Sequence, residues 1–219
     1  MRDLADCDGT YCIPDWMLSQ SAAYSALLDT IFNPAPPPAY CLDIFVGSSG
    51  TPLESHTPDI GGPWTRWSGN MVLTGSQTVR QDSVTYDNAI YTVPLPSSDF
   101  DALGGWQPAS DPFGNVGFAL RVADANNMLY ALAWPAAAIL ALWKLEAGVQ
   151  TQLASVPWSF PGQALFQMTL QQRGNAITLT QGLDVLSFTT SFNSGVNNIG
   201  SWTNVNFSFF NTPFEVQPP

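Results

Sequence analysis

The sequence is poor in charged residues, and this shortage argues against several classes of function. Only 11% of the 219 residues are charged, whereas about a quarter of an average soluble protein is charged. Six residues are basic and 17 are acidic, so the formal net charge is −11. No basic run is present to neutralise phosphates, and the chain is therefore not expected to bind nucleic acid or an anionic membrane surface.

Long apolar runs are also missing. The most apolar stretch, Leu129 to Trp143, contains Pro135 and is too short to span a bilayer, so it predicts two strands and a turn. The acidic segment Met1 to Gly9 lacks the apolar core of a secretory signal. A surface made mostly of Ser, Thr, Asn and Gln is typical of sheet proteins that work outside cells. Both features favour a virion component that is made in a host cytoplasm, and an intracellular protein with an unusual surface is the alternative.

Cysteine and histidine are scarce. Cys7, Cys12 and Cys41 all lie in the first fifth of the chain, and His56 is the single histidine. Cys7 and Cys12 either form a disulfide or remain reduced, and the odd count does not decide between the two. Zinc held by the three cysteines and His56 has the right ligand types but a loose spacing. In the turn Ser-His-Thr-Pro-Asp, we instead expect His56 to fix the loop by hydrogen bonding, with Asp59 as its partner.

Aromatic and aliphatic residues are plentiful, and a first group of them lies in an N-terminal arm, residues 1–40. Apolar residues make up 45% of the chain, which is enough for one closed core. Asp15 can cap a helix that continues to residue 32. The apolar stripe of this helix consists of Trp16, Met17, Ala23, Tyr24, Leu27, Leu28 and Ile31. A stiff proline-rich strut follows, from Pro34 to Pro38.

The predicted helix has two interpretations. It packs against its own domain, or it docks on a neighbouring subunit. The strut holds the helix away and favours docking. The predicted partner-binding residues are therefore Trp16, Met17, Tyr24, Leu27, Leu28 and Ile31.

From residue 41 to 219 the pattern is that of a sheet protein, with short apolar runs between Gly, Asn, Asp and Pro. The predicted strands are Leu42–Val46, Met71–Thr74, Ala89–Val93, Val116–Ala123, Leu129–Trp134, Ile139–Leu145, Gln150–Ser155, Ala164–Gln171, Ala176–Gln181, Val185–Thr189 and Asn204–Phe210. Hairpin turns are predicted at Arg173-Gly-Asn and Glu146-Ala-Gly. No helices separate the strands, so no parallel sheet is expected, and the predicted fold is all-β with a short N-terminal helical arm.

Several segments carry a family resemblance. They are residues 43–62 with Trp64, then 117–127, 142–155, 161–162 with 173–182, and 204–216. In this order they resemble concanavalin A-like lectin/glucanase domains of the kind found in phage structural proteins. The resemblance covers about residues 41–217 and implies a two-sheet antiparallel jelly-roll sandwich whose closing strand pairs near the first. Between Asp82 and Asn115 the sequence departs from the family pattern, and extra Pro and Gly residues there suggest longer loops.

Catalytic groups are missing at the spacings that hydrolases use. The sandwich glucanases that share this fold place their carboxylates in a Glu-x-Asp-x-x-Glu motif, and none of the three glutamates, Glu54, Glu146 and Glu215, stands in one. Asp99 and Asp101 could share a strand face, but they are better interpreted as loop aspartates. No Gly-x-Ser-x-Gly elbow and no phosphate loop occur, and Lys144 is the single lysine. No catalytic residues are therefore predicted, and the protein is not expected to be an enzyme.

Two binding functions stay open. Asp124, Asn126 and Asn127 crowd one turn and offer oxygen ligands to calcium, although such residues also dominate turns for local reasons. Apart from this calcium, no cofactor is expected. An aromatic platform for glycans is predicted from tryptophans in or beside predicted loops, namely Trp64, Trp67, Trp106, Trp158 and Trp202. The alternative is that these rings plug the sandwich ends or a subunit contact.

The function favoured by the sequence is a non-enzymatic virion structural or accessory protein, such as a capsid decoration (cement) protein or a tail or collar attachment. Its arm would bind major capsid or tail proteins, its sandwich would project, and the protein would form a homo-oligomer. The alternative is a carbohydrate-binding, lectin-like module that contacts host surface glycans. A glycoside hydrolase ranks last.

Overall fold

The computed structural model describes residues 38–82, 88–107, 114–159, 165–204, 209–210 and 213–219. The chain divides into two compact units, Met1–Pro37 and Pro38–Pro219, and the described residues belong to the second. The predicted helix over residues 15–32, its partner-binding residues, and Cys7 and Cys12 lie outside the described residues. The arm, the docking of its helix and the disulfide therefore stay predictions.

The described residues form sixteen β-strands and two short 3-10 helices. The strands are β1 (Cys41–Asp43), β2 (Thr65–Ser68), β3 (Met71–Leu73), β4 (Val79–Gln81), β5 (Ala89–Pro94), β6 (Phe100–Gln107), β7 (Val116–Asp124), β8 (Asn127–Trp134), β9 (Ile139–Glu146), β10 (Val149–Pro157), β11 (Phe166–Arg173), β12 (Ala176–Gln181), β13 (Asp184–Thr189), β14 (Asn198–Thr203), β15 (Phe209–Phe210) and β16 (Phe214–Gln217). The 3-10 helices are Leu53–Ser55 and Pro135–Ala137. None of the helices in the described ranges is long and apolar enough to cross a membrane.

The strands form two antiparallel sheets. One has nine strands in the order β13-β12-β11-β6-β15-β4-β3, with β16 pairing with both β6 and β1. The other has seven strands in the order β10-β9-β8-β7-β14-β5-β2. Cys41 of the opening strand lies opposite Val216 of the closing strand, as the family resemblance implied. The predicted all-β, two-sheet antiparallel sandwich is confirmed.

The core lies between the sheets and follows from strand alternation. In β7, Val116, Phe118 and Leu120 are buried in the main core cluster. Trp106 of β6 packs against Phe118 from the facing sheet, with ring centroids 4.9 Å apart and the rings almost perpendicular, at 83°. Such edge-to-face aromatic pairs stabilise a core beyond the area that they bury.

Strand β6 was not predicted, and it lies in the segment between Asp82 and Asn115 where longer loops were expected. Residues 83–87 and 108–113 of this segment lie outside the described residues. This segment contains β5 and β6, and β6 lies at the centre of the nine-stranded sheet between β11 and β15. By local preference the pair Gly104-Gly105 is unfavourable inside a strand. In the structure, however, Gly104 lies against the Trp106 indole. A Cβ atom at Gly104 would stand 2.4 Å from Cη2 of Trp106. Glycine is therefore required here by packing.

The predicted strand ends also need correction. Residues 205–208 of the predicted strand Asn204–Phe210 lie outside the described residues, and its last two residues form β15. Strands β2, β4, β14 and β16 were not predicted. Both predicted hairpins are confirmed. Arg173 pairs with Ala176, and Glu146 pairs with Val149 across two residues of positive φ, Ala147 at 49° and Gly148 at 79°.

Candidate functional site

The seven-stranded sheet is apolar on both faces. In β8, Leu129, Ala131 and Ala133 belong to the core between the sheets. Because side chains alternate along a strand, Met128, Tyr130 and Leu132 face the opposite way, and they belong to a second apolar cluster. Antiparallel sheets commonly keep one face polar. A second apolar face is therefore a feature that the sandwich core does not explain. We call it the outer face.

Aromatic rings form a row on the outer face. Tyr130 of β8 lies opposite Trp143 of β9 in the strand register, and their rings are nearly parallel, at 2°, with centroids 6.3 Å apart. On its other side Tyr130 stacks on Trp202 of β14 at 4.9 Å and 11°. Trp134 packs obliquely against Trp143 at 6.2 Å. Cross-strand register thus brings four aromatic side chains from three strands side by side.

A pocket of about 100 Å³ opens beside these rings. Its described lining combines aromatic and amide side chains, and consists of Asn88, Asn115, Tyr130, Leu132, Trp134, Trp143, Gln150, Trp202 and Asn204. Trp134 and Trp143 are partly exposed, whereas Tyr130 and Trp202 are buried, at 3% and 4% exposure. Trp134 and Trp143 are therefore the rings that a ligand can reach. Tyr130 and Trp202 support them.

Two of the amide residues are fixed by the ends of neighbouring strands. The backbone N–H of Asn115 donates to Oδ1 of Asn204 at 2.9 Å, and the backbone N–H of Asn204 donates to the carbonyl oxygen of Asn115 at 3.3 Å. The side-chain Oδ1 of Asn115 and the indole Nε1 of Trp143 are buried, and neither has a hydrogen-bond partner among the described residues. One unpaired acceptor and one unpaired donor thus belong to residues that line the same pocket.

The pocket is electrically neutral over its described lining, which contains no Asp, Glu, Lys, Arg or His. Burial raises the pKa of the Tyr130 phenol, so this hydroxyl stays uncharged at neutral pH. Such a lining can offer stacking surface and hydrogen bonds. The described lining supplies no counter-charge.

Three of the five tryptophans predicted to bind glycans are in the wrong place for that role. Trp64, Trp106 and Trp158 are 1–3% exposed and lie in the core between the sheets. The indole N–H of Trp64 donates to Asp43 Oδ2, and that of Trp158 donates to Gln181 Oε1, both at 2.7 Å. The expectation of exposed rings is wrong for these three because apolar burial outweighs their position beside loops.

The other two predicted tryptophans lie on the outer face. Trp202 lines the pocket. Trp67 is partly buried against the same cluster and donates to Thr92 Oγ1 at 2.9 Å, outside the pocket. Sequence reasoning missed Trp134 and Trp143 because they fall inside predicted strands. A usable signal was present, since β8 and β9 are apolar at consecutive positions rather than at alternate ones.

A second, more open groove of about 310 Å³ lies over the nine-stranded sheet. It is lined by Asp101, Ala102, Leu103, Thr169, Gln171, Glu215 and Gln217. Asp101 belongs to β6, which corrects its interpretation as a loop residue, whereas Asp99 precedes that strand and accepts from the N–H of Gly174 at 2.6 Å.

Both carboxylates of this groove have internal partners. Arg173 lies 2.7 Å from Asp101 in an ion pair, and Gln217 donates to Glu215 at 2.6 Å. The described lining of the groove contains no aromatic ring. This described lining offers no stacking platform for a sugar.

The acidic turn predicted to hold calcium is organised by its own hydrogen bonds. The Asp124 carboxylate accepts from the backbone N–H of Asn126 at 2.7 Å and from the Asn127 side chain at 2.9 and 3.0 Å. These bonds lower the pKa of Asp124, with the Asn126 bond first. Oδ1 of Asn127 accepts from Ala147. In the described part of the chain no three His, Cys, Asp or Glu side chains are grouped as metal ligands, and calcium binding stays a prediction.

His56 bonds to a different aspartate from the one expected. Its Nε2 lies 2.8 Å from Oδ1 of the fully buried Asp43, whereas Asp59 accepts from the N–H of Ile44 at 3.0 Å. Burial, followed by the nearby carboxylates of Asp43 and Asp59, raises the pKa of the Cys41 thiol to about 12. Zinc binding by Cys41 and His56 stays a prediction. The other two predicted cysteines lie outside the described residues.

No protein-family model matches the chain, and no curated protein matches it either. Solved structures do match. The GH43 protein BlXynB from Bacillus licheniformis gives a TM-score of 0.55 at 12% identity, over 81% of this chain and 39% of that one. The Ca2+/Man3GlcNAc-bound exoplasmic/lumenal domain of VIP36 gives 0.51 at 9% identity, over 71% and 85% of the two chains.

A third match comes from a phage. The CBM2 module of the evolved Dit of Lactobacillus casei BL23 phage J-1 gives a TM-score of 0.50 at 10% identity, over 83% of this chain and 98% of the module. At these identities the matches show the fold alone. The described domain has the concanavalin A-like jelly-roll fold that the resemblance implied.

Proposed function

We propose that this domain is a non-enzymatic carbohydrate-binding module that holds a sugar in the pocket on the outer face. The observation that supports the proposal is the combination of partly exposed Trp134 and Trp143 with amide side chains in one pocket. Fold neighbours include a CBM2 module and a Man3GlcNAc-bound domain. A shared fold does not decide function, so the proposal stands on the pocket.

The chemistry of the pocket suits a sugar because a pyranose has two kinds of surface. Its C–H faces are apolar and pack against aromatic rings, while its hydroxyls need hydrogen-bonding groups at the edge. Trp134 and Trp143 supply the ring surface, and Asn88, Asn115 and Gln150 supply amide groups next to it.

The proposal also states that the domain does not hydrolyse the sugar that it binds. Glycoside hydrolysis needs two carboxyl groups that flank the scissile bond, and the described lining of this pocket has none. Asp101 and Glu215 share the groove on the other sheet, where each is engaged by a neighbouring side chain. A hydrolase remains the lower-ranked alternative, and its candidate carboxylates are these two.

Attachment to a virion is a separate prediction that concerns another part of the chain. The binding of residues 1–40 to major capsid or tail proteins, the homo-oligomer and the virion location stay predictions. Sugar binding by the sandwich is compatible with them, since a particle-borne module of this kind would contact host surface glycans.

The direct test is a screen of the whole chain against an immobilised glycan library, followed by calorimetry with the strongest binder. We expect Trp143→Ala to weaken binding about five- to thirtyfold, because the loss of an aromatic anchor at a binding site costs about 1–2 kcal/mol. The matched control is Trp67→Ala, which removes a tryptophan from the same face outside the pocket and should leave the affinity unchanged. Absence of binding to every glycan, or equal weakening by both variants, would contradict the proposal.

A further inference from the structure

Strand β13 forms one edge of the nine-stranded sheet, and its only strand partner in the described part of the chain is β12. Just beyond β13, the N–H of Thr190 donates to the carbonyl oxygen of Asn175 at 3.0 Å. Hydrogen-bonded and non-hydrogen-bonded pairs alternate along an antiparallel ladder. Every second residue back from Thr190 therefore bonds to β12, and the residues between them direct their backbone N–H and C=O groups away from it. These outward residues are Val185, Ser187 and Thr189, and all three are exposed.

The other sheet edges in the described residues are blocked. Strand β10 has a register shift between Gln152 and Ala154 and ends at Pro157, and β2 also has a register shift. Strands β1 and β3 exchange backbone bonds with Ile60 and Thr51, which cover them. Irregularities, prolines and covering segments are the devices that keep an edge strand from pairing with another chain. Strand β13 has neither a register shift nor a proline, and it holds one charged residue among six.

We infer that β13 pairs antiparallel with β13 of a second copy of this chain, about a two-fold axis at Ser187. Outward-pointing residues must lie opposite one another, and this register engages all three of them on each chain. Ser187 then lies opposite the partner's Ser187, and Val185 lies opposite the partner's Thr189. On the inward face, Leu186 lies opposite the partner's Phe188, so an apolar cross-strand pair extends the core. The edge is thus complementary to itself, as a two-fold interface requires.

Side chains at this edge also favour association. Leu183, in the turn before β13, is 100% exposed, and Val185 is 52% exposed, so pairing removes apolar surface from water. The formal charge of −11 on each chain opposes association. In the inferred register, however, Asp184 lies opposite the partner's Thr190, and no like charges meet across the two strands.

The symmetry of this pairing determines where the two outer faces point. A two-fold axis between antiparallel strands is perpendicular to their sheet, so both copies turn the same face to the same side. The nine-stranded sheets join into one, and the two seven-stranded sheets present their outer faces in the same direction. On the basis of the proposed sugar-binding function, the dimer therefore offers two pockets to one glycan-bearing surface. The pairing itself does not depend on that function.

The test measures the mass of the full chain in solution, by light scattering after size-exclusion chromatography, at physiological salt and several protein concentrations. We expect an assembly whose mass falls to about half in Ser187→Lys, because two ammonium groups then face each other across the axis. Ser187→Glu should act in the same way, and an equimolar mixture of the two variants should restore the assembly. The matched control is Thr178→Lys, since the Thr178 and Ser187 hydroxyls lie 3.1 Å apart on neighbouring strands. It removes the same contact and adds the same charge away from the edge, so the mass should not change.

A second readout is hydrogen exchange at the edge. The amides of Val185, Ser187 and Thr189 should exchange more slowly in the unmodified chain than the corresponding amides in Ser187→Lys, while thermal unfolding of the variant stays unchanged. A monomeric chain at every concentration, an unchanged mass in Ser187→Lys, or a mixture that does not reassemble would overturn the inference.

Glycan binding separates this inference from the proposed function. Ser187→Lys should bind a free glycan as tightly as the unmodified chain does, because the pocket lies on the other sheet. It should bind a glycan-coated surface more weakly, because it has lost the second pocket. If no glycan binds, the proposed function fails, and the mass measurement still decides whether β13 pairs with a second copy.

Discussion

At the scale of single residues, a buried arginine links the two sheets. Arg121 of β7 is 1% exposed and donates to Gln172 Oε1 at 3.1 Å. It also donates to the carbonyl oxygens of Gly174, Thr190 and Phe192 at 2.7, 2.7 and 3.2 Å. Burial lowers the pKa of this guanidinium. Because Arg121 belongs to the seven-stranded sheet and Gln172 to the nine-stranded one, these bonds join one edge of the sandwich.

Removal of this arginine should be costly. Arg121→Met is expected to lower the free energy of unfolding by about 2–4 kcal/mol, because the buried Gln172 side chain and three partly buried carbonyl oxygens lose their donor. Urea denaturation measures the change. The matched control is Arg80→Met, since Arg80 is 42% exposed and stands 4.0 Å from Asp82, where an ion pair contributes about 0–1 kcal/mol. Equal losses in both variants would show that Arg121 is not a structural link.

Buried polar residues that link the sheets, such as Arg121, are hard to predict from the sequence. Arg121 stands in an apolar run with a positive φ of 51°, and its four acceptors come from distant positions in the chain. Likewise, no local pattern joins His56 to Asp43 rather than to Asp59. Contacts of this kind depend on the final packing of loops, which a single sequence does not encode locally.

At the scale of elements, predictability follows from how each strand is stabilised. Strands β8 and β9 are apolar runs separated by a proline turn, and they form almost as predicted. Strand β6 was missed because Gly104 and Gly105 lower its local preference for strand. Its neighbours β11, β15 and β16 supply the backbone hydrogen bonds that hold it in the sheet, so tertiary pairing overrides the local signal.

The role of Gly104 in β6 can be tested. Gly104→Ala is expected to lower the free energy of unfolding by about 1–3 kcal/mol, because the new methyl group would overlap the buried Trp106 indole. The control is Gly195→Ala, where a Cβ atom meets nothing within 4 Å and the effect should be close to zero. Both are measured by chemical denaturation. A neutral Gly104→Ala would mean that the indole moves aside freely.

The candidate pocket combines predictable and unpredictable parts. The outward aromatic residues of β8 and β9 could be read from strand alternation once both faces were seen to be apolar. The amide residues could not, because Asn88, Asn115 and Asn204 are far apart in sequence. They meet only because β14 pairs with both β5 and β7.

At the scale of the whole molecule, the two sheets differ in character. In the nine-stranded sheet, β11 buries every second residue and exposes the residues between them. This alternation is typical of a sheet with one solvent-exposed face. The seven-stranded sheet carries its second apolar cluster on the outer face instead. Composition and turn spacing predict an all-β fold, and the family resemblance implies the sandwich. The asymmetry between the sheets, which favours one face for a ligand, appears only in the folded molecule.

The central claim is that a sugar occupies the pocket beside Trp143. The most direct measurement follows the indole N–H signals of the eight tryptophans by nuclear magnetic resonance while the strongest-binding glycan is added. Trp143→Phe assigns the key signal. We predict that the Trp143 signal shifts on saturation while those of the core residues Trp64 and Trp158 stay in place. A Trp143 signal that stays in place at a glycan concentration that saturates binding would contradict the account.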